Sequence, residues 1–187
     1  MTRLALLRHA DTAWSVEGRI QGAMDLPLLP AQSPSIPHEL KSLRVVTSPL
    51  RRCVETAALL GAPQAEREPR IAEMRWGEWQ GRRLEALRGE LGEAMRENEA
   101  RGWDFRAPGG ESPREVLARV RPWLAEVAAR AVPTLAVTHR GVIRAVLADA
   151  LGWDLRGKPP VKLDWAAAHL FDLAPDGRPR VARLNVR

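Results

Sequence analysis

The sequence is poor in cysteine and in long apolar runs. Cys53 is the only cysteine among the 187 residues, so the chain can form neither an internal disulfide nor a cysteine-based metal framework. No apolar run approaches the length of a membrane-spanning helix, and no early segment has the apolar region of a signal peptide. We therefore expect a cytoplasmic protein that does not bind membranes.

Lysine is also scarce, although the chain carries a formal charge of +6. Nearly all the basic residues are arginine, and such an excess can serve nucleic acid, a membrane surface or a small anionic substrate. Between residues 66 and 101 the arginines alternate with glutamates, which is typical of a solvated surface. This pattern favours a small anionic substrate and argues against nucleic acid as the partner.

Three brief apolar runs predict buried strands, at residues 3–7, 44–47 and 134–138. A helix is predicted after the second strand, where Ser48 with Pro49 resembles an N-cap and a first helical position. Another is predicted after the third strand, where His139 precedes an apolar amphipathic stretch. Alternating strands and helices predict an α/β fold, with a mostly parallel sheet flanked by helices on both faces.

Two further patterns extend this prediction. Ser112, with Glu115 three residues later, resembles the capping box of a long helix. Two apolar runs flank Asp176 and Gly177, which indicates an antiparallel hairpin at the C-terminal end of the sheet.

We predict a single domain, residues 1–187, that contains one inserted segment. Residues 27–37 hold four prolines and should be irregular. A charged helical stretch should form a cap over the site, within about residues 74–110.

Polar side chains follow all three predicted parallel strands. Arg8 and His9 end the first strand, Ser48 follows the second, and Thr138 with His139 ends the third. In an open α/β sheet, ligands bind beyond the carboxyl ends of the strands. We therefore expect these side chains to meet at one rim and to form the active site.

Two histidines and several arginines suggest phosphate chemistry at this rim. Arginine binds phosphate oxygens bidentately and keeps its charge at any working pH. A neutral imidazole can attack phosphorus and form a covalent intermediate, which splits one difficult displacement into two easier ones. A carboxylic acid would then protonate the leaving alkoxide.

Five motifs follow one another along the chain: LLRHADTAWSVEGRIQGAMDLPL, TSPLRRCVETA, AEMRWGEWQG, PGGES and VTHRGVIR. In this order they resemble the motifs of the histidine phosphatase superfamily, also called the phosphoglycerate mutase-like family. The resemblance covers most of the chain and implies the fold of that family. The family usually has a helix after DLPL, where this chain has the shorter proline-rich stretch 27–37, so the resemblance implies that one face of the sheet is less covered and open to a partner. A homodimer is one expected assembly. It also implies a phosphomonoester hydrolase that acts on a small phosphorylated substrate through phosphohistidine, with no metal and no organic cofactor.

The resemblance implies a role for each matching position. His9 would be the nucleophile, and His139 would donate to the transferring group. Arg8 and Arg52 would hold the phosphoryl oxygens. Glu73 would be the proton donor. Spacing alone leaves three other glutamates as rivals for that role: Glu66, Glu68 and Glu78.

Four more positions are predicted to bind substrate. Gln21 and Gly22 match a loop near the phosphate. Ser15 stands where the family often has asparagine, so one phosphate contact should be weaker. Arg140 replaces a glycine and adds charge at the rim, whereas Ala10 replaces the usual glycine after the nucleophile and should tighten the backbone there.

Three other residues are predicted to have no chemical role. Arg51 should form a salt bridge or face solvent, Cys53 should be an inert helix residue, and nothing around His169 suggests chemistry.

Three alternatives stay open. Two histidines and a glutamate could bind zinc, but no HExxH-like spacing is present and the arginines would repel the ion. A phosphoglycerate mutase would return the phosphoryl group to its substrate, but the chain is short for the closed, dry site this requires. A catalytically silent, polyanion-binding or regulatory protein would have little use for two histidines, two arginines and a carboxylate at one rim.

Overall fold

The computed structural model describes all residues from Met1 to Arg187. Its strands are β1 (Thr2–Arg8), β2 (Arg44–Thr47), β3 (Glu66–Arg67), β4 (Thr134–Thr138), β5 (Ala168–Leu173) and β6 (Pro179–Val186). They form one sheet in the order β3-β2-β4-β1-β5-β6. The first four strands in this order are parallel to one another, whereas β5 is antiparallel to β1 and β6 to β5. The predicted sheet and its antiparallel C-terminal pair are confirmed.

The helices are α1 (Ala13–Val16), α2 (Arg51–Leu59), α3 (Leu84–Leu91), α4 (Glu93–Glu99), α5 (Pro113–Arg130) and α6 (Arg140–Leu151). The capping box of α5 is confirmed, because the Ser112 hydroxyl accepts from Glu115 N while the Glu115 carboxylate accepts from Ser112 N. The charged stretch forms two helices instead of one. Gly92 separates them with a φ of +52°, which favours glycine.

Helices cover both faces of the sheet, as predicted. The larger apolar cluster has 19 buried residues and lies between the sheet and helices α5 and α6. The opposite face holds a cluster of 8 buried residues, in which Ile36 and Leu40 come from the proline-rich segment and the turn after it. Helix α2 packs on this side, where Cys53 and Ala57 contact Val137. The thinly covered face is therefore closed by irregular chain.

The carboxyl ends of three parallel strands meet at one edge. Arg8 of β1 is paired with Thr138 of β4, and Thr47 of β2 with Val137. Beyond the strands, His9 N donates to Thr138 O at 3.0 Å and Ser48 N donates to Val137 O at 3.0 Å. Main-chain hydrogen bonds therefore hold the residues of the rim in place.

The predicted insertion has a small apolar cluster of its own. The insertion contains the turn Gly77–Trp79, helices α3 and α4, and the turn Gly102–Asp104. Four buried side chains pack together within it: Trp79, Leu87, Met95 and Ala107. None of the helices in the molecule has the length and apolar character needed to cross a membrane.

Candidate active site

A cleft of about 640 Å³ opens at the rim of the sheet. Most of the predicted site residues line it: Arg8, His9, Ser15, Gln21, Gly22, Glu73 and Arg140. Arg52 and His139 are fully buried beside it. The structure thus brings together residues from five separate parts of the sequence.

His9 is presented as a neutral imidazole. Its side chain is buried, and Nδ1 lies 2.7 Å from the carbonyl oxygen of Ala10. Because a carbonyl can only accept, Nδ1 carries the proton and Nε2 keeps its lone pair. Burial, together with the charges of Arg8 and Arg52, lowers the pKa of His9 well below its usual value. This geometry leaves the Nε2 lone pair of His9 free to react with an electrophile.

His139 lies beside His9, with the ring centroids 5.3 Å apart. It is fully buried, and burial followed by the charge of Arg52 lowers its pKa well below the usual value. Its Nε2 is 2.8 Å from the hydroxyl oxygen of Ser48. Two neutral imidazoles therefore share the inner end of the cleft.

The prediction that Ser48 caps helix α2 is wrong. The helix begins at Arg51 with Leu50 as its N-cap, and no side chain caps it. Ser48 follows β2 directly, so its buried hydroxyl points across the rim towards His139. Cys53 lies on the same side of that ring, with Sγ 3.3 Å from Nε2. Burial raises the pKa of this thiol, so it stays protonated and is a poor nucleophile.

Two buried arginines supply positive charge beside His9. Arg52 donates from Nη1 to Met24 O at 2.6 Å and from Nη2 to Gly22 O at 2.8 Å, while its buried Nε has no partner. Arg8 reaches only a long contact of 3.4 Å to Asp11. Buried cations with unused donors favour an anion nearby.

The neighbouring Arg51 has a different environment. It forms an ion pair with Glu55 at 2.6 Å, and 57% of its side chain is exposed. The prediction that this arginine forms a salt bridge at the surface is confirmed.

Glu73 is held at the cleft by main-chain donors. Its Oε1 accepts from Met74 N at 2.8 Å and from Gly141 N at 3.0 Å, which leaves Oε2 without a partner in the protein. Burial raises the pKa of the carboxyl, so the protonated form is favoured. None of its rivals lines the cleft: Glu66, Glu68 and Glu78.

Gly141 is a site residue that sequence reasoning missed. A Cβ at this position would lie 2.3 Å from Glu73 Oε1, so a side chain here would displace the carboxylate that accepts the hydrogen bond from Gly141 N. The signal was present in the motif VTHRGVIR, where one glycine remains after Arg140.

The side chains of Ser15 and Gln21, and the main chain at Ala10, differ in which polar groups remain available to a substrate. The Ser15 hydroxyl donates to Asp11 Oδ1 at 2.9 Å, so it is engaged locally. The Gln21 Oε1 accepts from the Thr12 hydroxyl at 2.8 Å, which leaves its amide N–H groups available. Ala10 is tied to helix α2, because its N–H donates to Thr56 Oγ1 at 2.9 Å.

Metal ligands do not converge in this structure. No group of three or more histidine, cysteine, aspartate and glutamate side chains lies close enough to hold a metal ion.

Comparison with known proteins decides the family. The family model described as histidine phosphatase superfamily (branch 1) matches residues 4–187. The chain belongs to this superfamily. A solved mycobacterial glucosyl-3-phosphoglycerate phosphatase in complex with VO3 is similar to this histidine phosphatase, with a TM-score of 0.80 and 27% identity over 100% of both chains.

Two curated relatives are also phosphatases by name. Phosphoserine phosphatase 1 of Hydrogenobacter thermophilus is 32% identical over 166 residues, which cover 83% of this chain and 79% of the relative. A probable 2-carboxy-D-arabinitol-1-phosphatase of Arabidopsis thaliana is 29% identical over 161 residues, 80% of this chain but only 33% of the longer plant protein. Family and relatives together identify this histidine phosphatase as an enzyme that hydrolyses phosphate esters.

Proposed function

We propose that this enzyme hydrolyses a small phosphorylated metabolite through a phosphohistidine intermediate, without a metal ion. The observation that carries the proposal is the buried, neutral His9, whose Nδ1 proton is engaged by Ala10 O beside the charges of Arg8 and Arg52. An imidazole in this tautomer directs the Nε2 lone pair at an electrophile, and the arginines supply the charge that a phosphoryl group requires.

In the first step, Nε2 of His9 attacks phosphorus as the bond to the leaving oxygen breaks. Arg8, the free donors of Arg52 and the ring of His139 stabilise the charge on the equatorial oxygens. The partnerless Oε2 of Glu73 carries the proton that passes to the leaving alkoxide. The raised pKa of this carboxyl supports its role as an acid.

In the second step, water attacks the phosphorus of phosphohistidine and the P–N bond breaks. Glu73, now ionised, accepts a proton from that water, and His9 returns to its neutral form. Inorganic phosphate leaves, and the proton that Glu73 lent to the alcohol is restored.

Water is the acceptor in this proposal because the cleft is open. Its outer part is lined by the insertion through Trp76, Arg88 and Phe105, and we assign to this segment, about residues 74–110, the role of a cap that selects the substrate. A cytoplasmic location fits the single cysteine, which is free and buried. A homodimer remains our expectation for the assembly.

The test is hydrolysis of p-nitrophenyl phosphate in excess EDTA by wild type, His9→Ala and His38→Ala, whose exposed histidine lies outside the cleft. We expect turnover to survive chelation and to fall on the order of 10⁴-fold or more in His9→Ala alone. Activity lost to EDTA would point to metal chemistry instead. No hydrolysis by the wild type, with phosphoryl exchange between phosphoglycerates, would favour a mutase, and neither activity would favour a silent binding protein.

A further inference from the structure

The cleft holds more cations than the transfer of one phosphoryl group needs. Its lining includes six cationic side chains: Arg8, Arg19, Arg88, Arg140, Arg144 and Lys158. Only two carboxylates line it, Glu73 and Glu99. Three of the cations have acidic partners, because Arg8 pairs with Asp11, Arg19 with Glu17 and Arg88 with Glu99.

Arg140 and Arg144 have no such partner. Neither forms a salt bridge or a hydrogen bond with the protein, although both project from helix α6 into the cleft. Each lies over an indole ring instead: the Arg140 guanidinium is 4.9 Å from the ring centroid of Trp165, and that of Arg144 is 5.5 Å from Trp153. Stacking of this kind fixes a guanidinium while leaving its in-plane N–H groups free for an incoming pair of oxygens.

Arg140 lies nearer to the inner end of the cleft than Arg144 does. They are four residues apart on α6, which places them on one face about 6 Å apart along the helix axis. Arg140 lies within the field of Arg8 and Glu73, whereas the charge that acts on Arg144 is that of Arg88, further out. Arg140 is therefore the neighbour of the phosphoryl site, and Arg144 lies one turn beyond it.

The electrostatics of this pair also favour an anion. Burial, with the charge of Arg8 added, lowers the pKa of Arg140 to about 10, and burial lowers the pKa of Arg144. Both groups still carry their charge at neutral pH. Glu73 and Asp11 act on Arg140 only through space and form no salt bridge with it. The charge that acts on Arg144 is the like charge of Arg88. Both guanidinium groups therefore keep their charge and their free N–H donors for a bound anion.

We infer that Arg140 and Arg144 form a second anion subsite, which binds a carboxylate or a second phosphate on the leaving-group side of the substrate. The inference rests on the proposed phosphatase function and narrows its substrate to phosphate esters with a second anionic group about one helical turn from the first. Lys158, also unpaired, adds positive charge at the mouth of the cleft.

Matched substrates test the subsite and identify its anion. Glycerol 3-phosphate and 3-phosphoglycerate share a carbon skeleton and differ in a hydroxymethyl group against a carboxylate. The monophosphate and the bisphosphate of propane-1,3-diol make the same comparison for a second phosphate. We expect kcat/KM to favour the anionic member of at least one pair by about 10-fold or more, since hydrogen bonds to charged groups have this magnitude.

Variants show whether these arginines cause the preference. Arg144→Gln should lower the anionic-to-neutral ratio by about 10- to 100-fold, mainly through KM. Arg121→Gln removes the same charge from helix α5, where Arg121 pairs with Asp149 away from the cleft, and should leave the ratio unchanged. Ratios near one for both wild-type pairs, or equal effects of the two variants, would overturn the inference.

Failure of the proposed function would look different. In that case none of these esters, nor p-nitrophenyl phosphate, would be hydrolysed. Calorimetric binding of 3-phosphoglycerate and glycerol 3-phosphate would then still test the subsite, because tighter binding of the carboxylate that Arg144→Gln abolishes supports it, and equal binding overturns it.

Discussion

The two ends of the cleft are built differently. At the inner end, His9, Arg52 and His139 are 3%, 0% and 0% exposed, and main-chain groups or short side chains hold their polar atoms. At the outer end, Arg140 and Arg144 are exposed to the cleft and rest on tryptophan rings. The inner end is therefore fixed by hydrogen bonds to main-chain groups and to Ser48, whereas the outer end is fixed by packing on aromatic rings.

In the proposed mechanism, this difference separates the residues that carry out the chemistry from those that select the substrate. Burial lowers the pKa of the inner imidazoles and raises the pKa of the Glu73 carboxyl, so it favours the neutral forms that the proposed phosphoryl transfer uses. The outer arginines keep their charge and can be replaced without disturbing a strand end. Changes at the inner end should thus alter the rate for every substrate, and changes at the outer end should alter the choice among substrates.

The sharpest test within the inner end is Glu73→Gln. With an alkyl phosphate, whose leaving oxygen needs a proton, we expect kcat/KM to fall on the order of 10²–10⁴-fold. With p-nitrophenyl phosphate, whose p-nitrophenolate leaves without a proton, kcat/KM should fall far less. The measurement compares kcat/KM of the wild type and of Glu73→Gln on both substrates.

Glu78→Gln is the matched control for this prediction, because Glu78 is exposed, close in sequence and outside the cleft lining. It should affect neither substrate. Equal losses on both substrates in Glu73→Gln would contradict the acid role and leave Glu73 as a positioning residue.

A smaller effect is expected from Ser48→Ala. The hydroxyl is the close partner of His139 Nε2, so its removal leaves a buried imidazole nitrogen without that hydrogen bond and free to turn. The rate should fall about 10- to 100-fold, in kcat more than in KM. Ser48→Thr keeps a hydroxyl and should restore part of the loss, whereas Ser42→Ala, at an exposed serine, should change nothing. A normal kcat in Ser48→Ala would show that the ring is oriented by its packing alone.

Residues at strand ends could be predicted from the sequence, and residues that meet through long side chains could not. Arg8, His9 and His139 follow short apolar runs directly, so the topology of a parallel sheet suffices to bring them together. Ser48 was correctly expected at the same rim as His139, but its hydroxyl was assigned to the N-cap of α2. A serine before a proline has the pattern of an N-cap, and the sequence does not show which side chain at the rim its hydroxyl contacts.

The contacts at the outer end of the cleft show more clearly what the sequence does not reveal. Arg144 occupies an ordinary polar position in the period of helix α6, and nothing near it in sequence shows that Trp153 supports its guanidinium. The supporting ring of Arg140 comes from Trp165, in the chain before β5, so its position depends on how that segment returns to the sheet. Such contacts depend on tertiary packing, which periodicity does not encode.

The smallest expected effect is on the pH dependence of the free energy of unfolding, to which buried histidines should contribute and exposed histidines should not. His9 and His139 stay neutral in the folded protein, because burial lowers their pKa well below 6.5. The unfolded chain takes up these protons below pH 6.5, so the free energy of unfolding is highest above that pH and decreases as the pH falls through the window beneath it. Each histidine should contribute about 1.4 kcal/mol per pH unit to this decrease, a few degrees in Tm.

Urea unfolding at pH 7.5 and 5.5 measures this contribution. His139→Gln should reduce the difference between the two pH values by about 1.4 kcal/mol, whatever its effect on stability at pH 7.5. His38→Gln, which replaces an exposed histidine, should not reduce it. If both variants kept the wild-type difference, the imidazole of His139 would be charged in the folded protein at pH 5.5. The neutral inner end, on which the contrast with the charged outer end depends, would then be restricted to higher pH.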